Sequence, residues 1–499
     1  MTGWMRVNVL LAVAVVLVIS GASAVATTSP HPFQTGFLDD ATFGGSSASL
    51  GFQRAAEAGA TIERLGIDWG AVASNASPPA DPTNPDDPSY SWAAFDAEVD
   101  AAVAAGQAPI ANIVGAPAWA LTSPAGGMPA TVPDPTQFAD FAHAAALRYD
   151  GSHGHPRIVY WEIFNEPNLG LFLEPQFLNG EPYAAEWYRN LVNQSAVAIK
   201  SVHADNFVIA GSTAPFYDMT ASTVAVNPAW GPLGFMRAVL CLTPQLTSTS
   251  PGCTVEFDAW SHHPYTEGGP THTASLPDDV ELGDLPRMKQ VLDTAWALGH
   301  IVTNGPAPEL WVTEFSWNAN PPDPGGVPVS LLERWIPEAM YGMWSSGVTV
   351  LTWYELVDTS APYQTGLYTS TTALADNQPK PILQAFQFPF VAYRSDGGIF
   401  FWGRTPAGRQ TTVAVEQQSD SGWTSLGTLQ ADQYGIFQGR FATTSRLPVR
   451  ARTTDLDETS VAFSLRTVPD RFFPSFGLDQ FEPSRTYGSR PAIPPRWRP

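Results

Sequence analysis

Residues 109–114 read PIANIV, residues 135–149 read PTQFADFAHAAALRY, and residues 158–165 read IVYWEIFN. The outer two runs are short and rich in β-branched and aromatic residues, which predicts strands. The middle run is long and Ala-rich, which predicts a helix. A strand, a helix and a second strand in this order form a βα unit of a parallel sheet.

The same alternation extends in both directions, over residues 33–390. Further strands are expected at 33–38, 61–68, 207–210, 257–262, 309–313 and 348–354. Helices are expected at 47–58, 93–105, 184–203, 285–298 and 331–345, and a Pro-punctuated loop holding one helix at 219–253. Eight strands with helical connections predict an α/β fold of the (β/α)8 barrel type. An open doubly wound sheet is the competing architecture, but no Gly-rich phosphate fingerprint follows the first strand, so the barrel is preferred. Beyond residue 390 the pattern changes to short alternating strands at 398–403, 410–417, 423–428, 435–441, 448–453 and 460–465, which predicts a small β-sandwich over 391–469. The tail, 470–499, is rich in Pro and Arg and is expected to be disordered.

Composition narrows the function. The 499-residue chain carries 25 Lys+Arg against 47 Asp+Glu, a net charge of −22, which argues against nucleic-acid binding. Only 14% of residues are charged, 12% are aromatic and 17 are Trp. More Trp than a core needs suits a ligand with flat C–H faces, such as a sugar; about half of these rings are expected merely to pack. Residues 1–26 read as an export signal: Arg6, an apolar run over 7–19, then Ala22, Ser23 and Ala24 for cleavage. The apolar run is short for a membrane span, so a secreted or cell-surface location is expected, a retained anchor being the alternative. Cys241 and Cys253 are the only cysteines, which permits one disulfide; two buried thiols are the alternative.

Two carboxyls stand where strands should end. Residues 161–168, WEIFNEPN, close the fourth strand and deliver Asn165 beside Glu166; residues 310–315, LWVTEF, close the seventh and deliver Glu314. In such barrels the C-terminal strand ends carry the chemistry. Two facing carboxyls suit glycosidic hydrolysis, in which one protonates the leaving oxygen and the other handles the anomeric carbon. Glu162 shares a strand face with Glu166 and is expected to pair with a basic residue. Glu355 is the rival nucleophile, and Glu174, Glu181 and Asp358 are expected to be loop carboxylates. His262 and His263, with His272 nearby, lack the spacing of a zinc site, so no metal and no cofactor are expected.

On these residues the sequence resembles the clan A glycoside hydrolases, and within them the families 5 and 39 type. Asn165-Glu166-Pro167 is similar to the clan's acid/base motif, Thr313-Glu314-Phe315 to its nucleophile motif, and His263-Pro264-Tyr265 to the family 5 His-x-Tyr. The resemblance implies that Glu166 is the acid/base and Glu314 the nucleophile of a retaining enzyme acting on a β-linked oligo- or polysaccharide. It further implies that Asn165 binds the sugar 2-OH, that Tyr265 and Arg64 hold Glu314 ionised, and that His263 lines the sugar site. Trp353 looks like the aromatic floor beneath the ring, and Trp119, in a loop similar to family 39, a substrate-binding wall. Trp69 is as much a wall candidate as a core residue, and Trp317 and Tyr217 are weaker candidates. A transglycosylase on the same site and an inactive carbohydrate-binding surface protein are the rival readings. In the sandwich, Trp402, Trp423, Tyr434 and Phe437 form no clear planar row, so stabilising the barrel is the expected role.

Overall fold

The computed structural model describes residues 31–75, 77–126, 128–216, 230–360 and 363–465. The expected export signal, the Pro/Arg-rich tail and Tyr217 lie outside them. Among the described residues, no helix is long and apolar enough to cross a membrane.

Eight strands close into a barrel: β1 (Gln34–Leu38), β2 (Ile62–Asp68), β3 (Ala108–Val114), β4 (Tyr160–Ile163), β5 (Phe207–Thr213), β6 (Ala259–His262), β7 (Glu309–Phe315) and β8 (Val348–Tyr354). Each pairs in parallel with its neighbours, and β8 returns to β1 with Phe37 opposite Trp353. The main connecting helices are α1 (Ala48–Glu57), α2 (Ala93–Ala104), α3 (Pro135–Arg148), α4 (Tyr183–Val202), α5 (Pro232–Val239), α6 (Leu285–Ala297) and α7 (Val329–Ser345). The (β/α)8 barrel is therefore the observed fold. Helix α3 starts where it does because the Asp134 side chain accepts from the amides of Thr136 and Gln137, both at 3.0 Å, with Pro135 in the first turn. Its Phe138 and Phe141 then pack on Trp69, with ring centroids 5.6 and 5.4 Å away. Trp69 is therefore a core residue.

Strand alternation sorts the interior into layers. Ile62, Ile110, Ile209, Ala259, Trp311 and Val350 point inward and form an apolar plug. Two residues further along their strands, Arg64, Asn112, Ser261, Thr313 and Thr352 replace it with a polar layer, and all are buried. The mouth opens above that layer. The intervening residues face the helices and join the large outer core.

Strand β4 is shorter than the sequence pattern suggests, because Phe164 takes a left-handed φ of 69° and turns the chain out of the sheet. Strand β5 is longer but irregular: its register with β6 shifts between Ala210 and Thr213. Gly211, at φ 105°, makes this possible, since a Cβ there would lie 2.4 Å from the Ser261 carbonyl oxygen.

Two antiparallel sheets follow the barrel and form the β-sandwich. One runs β9 (Phe390–Ser395), β10 (Gly398–Arg404), β13 (Ile436–Ala442); the other runs β12 (Gly422–Gln430), β11 (Thr412–Ser419), β14 (Val449–Thr453). Residues 390–395 had carried no strand expectation. Residues 460–465 form only a bridge at Phe463 rather than the expected strand, with Thr459 making another. There the Ser460 hydroxyl takes the Ala451 amide, at 2.9 Å, that a ladder carbonyl would have taken. Trp402 is buried and packs on Phe33, Tyr341 and Trp344, so this ring is core and not a sugar platform. Phe437 is likewise buried, and Trp423 lies under Arg450 at 4.3 Å. Cys241 and Cys253 are joined in a disulfide spanning 12 positions.

Glu63 supplies a test of the barrel wall. It is fully buried, accepts from the Phe37 amide at 2.6 Å, and burial pushes its carboxyl well above the usual range. Folded, it keeps a proton that the unfolded chain releases near pH ~4.3, so this group costs stability progressively as pH rises above that point. Glu63→Gln is expected to raise the melting temperature at pH 8, with the gain fading toward pH 4. A gain independent of pH would contradict a buried, protonated Glu63.

Candidate active site

The polar layer is organised around Arg64 on β2, which is 3% exposed. Its Nε donates to Glu162 Oε2 at 2.5 Å and its Nη1 to Glu314 Oε2 at 3.2 Å. Its Nη2 faces Asn112 Oδ1 at 3.2 Å, Asn165 Oδ1 at 2.9 Å and Ser212 Oγ at 3.0 Å. Burial pulls the guanidinium pKa down, but the charges of Glu162 and Glu314 outweigh it and the net shift is upward. Glu162 is itself fully buried and takes a second bond from Ser261 Oγ at 2.7 Å. It is thus the expected partner of a basic residue, and Arg64 reaches beyond it to Glu314.

Glu314 lies at the top of β7. Its Oε1 accepts from the Tyr265 hydroxyl at 2.8 Å, so each oxygen has one donor. Burial and the adjacent Glu314 charge push the Tyr265 phenol well above its ordinary value, which keeps it a donor. Asn165 presents its Oδ1 to Arg64 and Ser212, and its Nδ2 has no protein partner among the described residues. Glu166 follows in a left-handed conformation, φ 42°, fixed by its amide donating to the Ser212 carbonyl at 2.9 Å.

Glu166, His263 and Glu314 each place one polar atom within 4.8 Å of the other two. His263 Nδ1 lies 3.0 Å from Glu166 Oε1 and 3.7 Å from Glu314 Oε2. A carboxylate only accepts, and Nε2 faces the hydroxyls of Ser212 and Thr313, so we assign the ring proton to Nδ1. With that proton, His263 donates to Glu166 and offers no lone pair toward a metal at this point. Each Glu314 oxygen is also already held by a donor, Tyr265 or Arg64. The three groups therefore suit a carboxyl pair better than a metal centre.

A cavity of about 430 Å³ opens beside Glu314, large enough for a sugar-sized ligand. Leu38, Asp40, Gly66, Asp68, Val114, Phe172 and Tyr354 are among its walls, with Arg64 and Asn165 at its floor.

Two expected ligand contacts, Trp353 and His263, are corrected by the structure. Trp353 is 1% exposed, faces the helix layer against Phe315 and Phe386, and donates to the Thr365 carbonyl at 2.9 Å. Alternation along β8 sends Val350, Thr352 and Tyr354 inward, so Tyr354 is the ring that lines the cavity. His263 is fully buried behind Glu166 and lines no sugar site. Trp119 is half-buried and packs edge-on against Trp69. Trp317, also buried, packs beneath Trp353.

The rival carboxylates and histidines are also placed. Glu355 is buried, hydrogen-bonded to Thr359, and pushed up to about 7 by burial and the Asp39 charge. Asp358 pairs with Lys380. Burial lowers His262 to about 3, and its ring bridges Thr213 and the Val280 carbonyl behind the strand. His272 bonds to Glu281.

Sequence reasoning missed Asn112, Ser212, Tyr354, Asp40 and Asp68. Inward parity along β2, β3 and β8 would have found all but Ser212 and Asp40. Ser212 reaches the site only through the β5 bulge, and Asp40 opens a one-turn helix after β1.

A scan against protein-family models and a search of curated proteins give no match. Among solved structures, the chain is similar to a family 39 glycoside hydrolase of Bacteroides cellulosilyticus WH2, at 15% identity and TM-score 0.47 over 83% of this chain and 81% of that one. It is also similar to a monomeric β-xylosidase of Caulobacter crescentus CB15, at 16% identity and TM-score 0.47 over 83% and 95%. A family GH30 endoxylanase of Clostridium papyrosolvens C71 aligns at 12% identity and TM-score 0.42 over 84% and 96%. Similarity at this level carries no information on activity.

The Arg64–Glu162 pair generates a stability test. Glu162→Ala leaves the guanidinium buried with one carboxylate fewer, and removing one partner of a buried pair typically costs ~3–5 kcal/mol. Urea unfolding is expected to show a loss of that order. A loss below ~1 kcal/mol, the range of an exposed pair, would contradict a buried anchor.

Proposed function

We propose that the protein is a retaining glycoside hydrolase acting on a β-linked glycan or glycoside after export. One observation supports this above the others: the Glu166 and Glu314 carboxyls lie within 4.8 Å at their near oxygens. Retaining enzymes hold their two carboxyls ~5–5.5 Å apart, whereas inverting enzymes leave ~6.5–9.5 Å for a water between them.

In the first half-reaction Glu314 attacks the anomeric carbon while Glu166 protonates the departing oxygen, giving a glycosyl ester on Glu314. In the second, Glu166 takes a proton from water, which attacks the same carbon and frees Glu314. Tyr265 and Arg64 each donate to one oxygen of Glu314, favouring its ionised form and fixing its attacking direction. The donor from His263 fixes the Glu166 carboxyl. Asn165 Nδ2 is the donor for the sugar 2-OH, its orientation set by Arg64 on its Oδ1. Each such charge-directed donor is worth a factor of roughly 10²–10³ in kcat where it acts on the transition state.

Glu166→Ala separates the two carboxyl roles. A dinitrophenyl leaving group needs almost no protonation, so dinitrophenyl glycosides are expected to keep kcat for glycosylation within about tenfold of wild type. Alkyl or glycosyl leaving groups are expected to lose roughly 10²–10⁴-fold, the usual range for general acid catalysis. Equal losses on both would contradict the acid role. No turnover of any aryl glycoside by the wild type would remove the glycosidase reading in favour of a binding protein.

A further inference from the structure

The cavity beside Glu314 is lined by acidic side chains. Asp40, the first residue of the one-turn helix Asp40–Phe43 after β1, and Asp68, at the end of β2, face it together with Glu314. The Asp40 carboxylate accepts no hydrogen bond from a described residue, and Asp68 uses Oδ1 for the Ala71 amide at 3.2 Å and has Oδ2 to spare. Both are solvent-exposed in the open cavity. Arg64 is the one cation among the described residues lining the cavity, and it is already engaged. Its Nε, Nη1 and Nη2 all donate to the protein, and it is 3% exposed. Its charge is already offset by Glu162 and Glu314 at 2.5 and 3.2 Å, so it carries no net positive charge toward a ligand carboxylate.

Carboxylates accept hydrogen bonds and cannot donate them when ionised. Sugar hydroxyls supply donors, so vicinal hydroxyls match Asp40 and Asp68. The carboxylate of a uronic acid is a second acceptor of like charge and meets no uncommitted cation here. A repelling carboxylate about 6 Å away in a partly wet site disfavours it by on the order of tenfold or more. Two such groups multiply that factor.

We infer that this cavity selects a glycone without an acidic group, and that Asp40 and Asp68 are the specificity-determining acceptors for its hydroxyls. The inference rests on the glycosidase reading and names the substrate class of the same site.

Matched nitrophenyl pairs test it: glucoside against glucuronide, and galactoside against galacturonide. Each is assayed with the wild type, with Asp40→Asn and Asp68→Asn singly, and with the double variant. Asn keeps the size of Asp and can replace Asp68 as the cap of its short helix. The wild type is expected to prefer at least one neutral sugar over its uronide by roughly 10²-fold in kcat/KM, and the double variant to narrow that ratio at least tenfold. A merely structural role would lower both rates and leave the ratio unmoved. Where a uronide turns over too slowly to time, its inhibition constant against the neutral partner gives the comparison. Uronides hydrolysed as fast as their neutral partners, or a ratio unchanged in the single and double variants, would overturn the inference while leaving the glycosidase intact. Hydrolysis of no glycoside would instead strike the glycosidase reading, and this selection with it.

Discussion

A single buried guanidinium ties the mouth of this barrel together. Arg64 spans from β2 to Glu162 on β4, Asn112 on β3, Ser212 on β5 and Glu314 on β7. Desolvating one cation and one fully buried carboxylate is expensive unless the remaining donors and acceptors are matched. Here they are: Ser261 takes up the other oxygen of Glu162, and neutral amide and hydroxyl oxygens take up Nη2. The same contacts hold Asn165 and Glu314 at fixed positions above the polar layer. Positioning of the carboxyl pair is thus a consequence of how the barrel satisfies one charge. Site groups held by rigid strands and a hydrogen-bonded second layer are the kind that can act with little reorganisation.

The sandwich belongs to the same packing problem. Its strand β10 places Trp402 and Phe400, and β9 places Tyr393, against Tyr341 on α7, and one continuous apolar cluster runs from the barrel's helix layer into the sandwich. Arg334 on α7 donates to the Ser464 carbonyl at 2.8 Å beyond β14. Burial on this scale secures the helix behind β8, and through it Tyr354 at the cavity wall. No sugar platform is needed to account for the aromatic residues of β10.

Much of this was legible in the residues. The alternation of strand and helix gave the barrel, because burial on both sides imposes β-branched runs that differ from helical ones. The motifs ending β4 and β7 marked Glu166 and Glu314, and a lumen-facing acid, Glu162, announced its basic partner. Legibility failed where one residue of parity decides orientation. Trp353 and Tyr354 are both aromatic and adjacent, and the inward parity of Val350 and Thr352, not residue type, decides which of them turns outward. It failed also for His263, whose burial depends on a neighbouring strand. Ser212 was beyond reach because a bulge, created by Gly211, moves it off the regular pattern. The first sandwich strand, residues 390–395, was missed although the boundary near 390 was not, because its place is decided by pairing with residues 398–403.

The central claim is that Glu314, held by Arg64 and Tyr265, traps the sugar covalently. The most direct measurement is inactivation with activated 2-deoxy-2-fluoro glycosides followed by mass mapping of the labelled peptide. The account predicts one fluoroglycosyl ester, on Glu314, in a stoichiometry of one per chain. A label on Glu355, or time-dependent turnover with no ester on the barrel carboxyls, would contradict it.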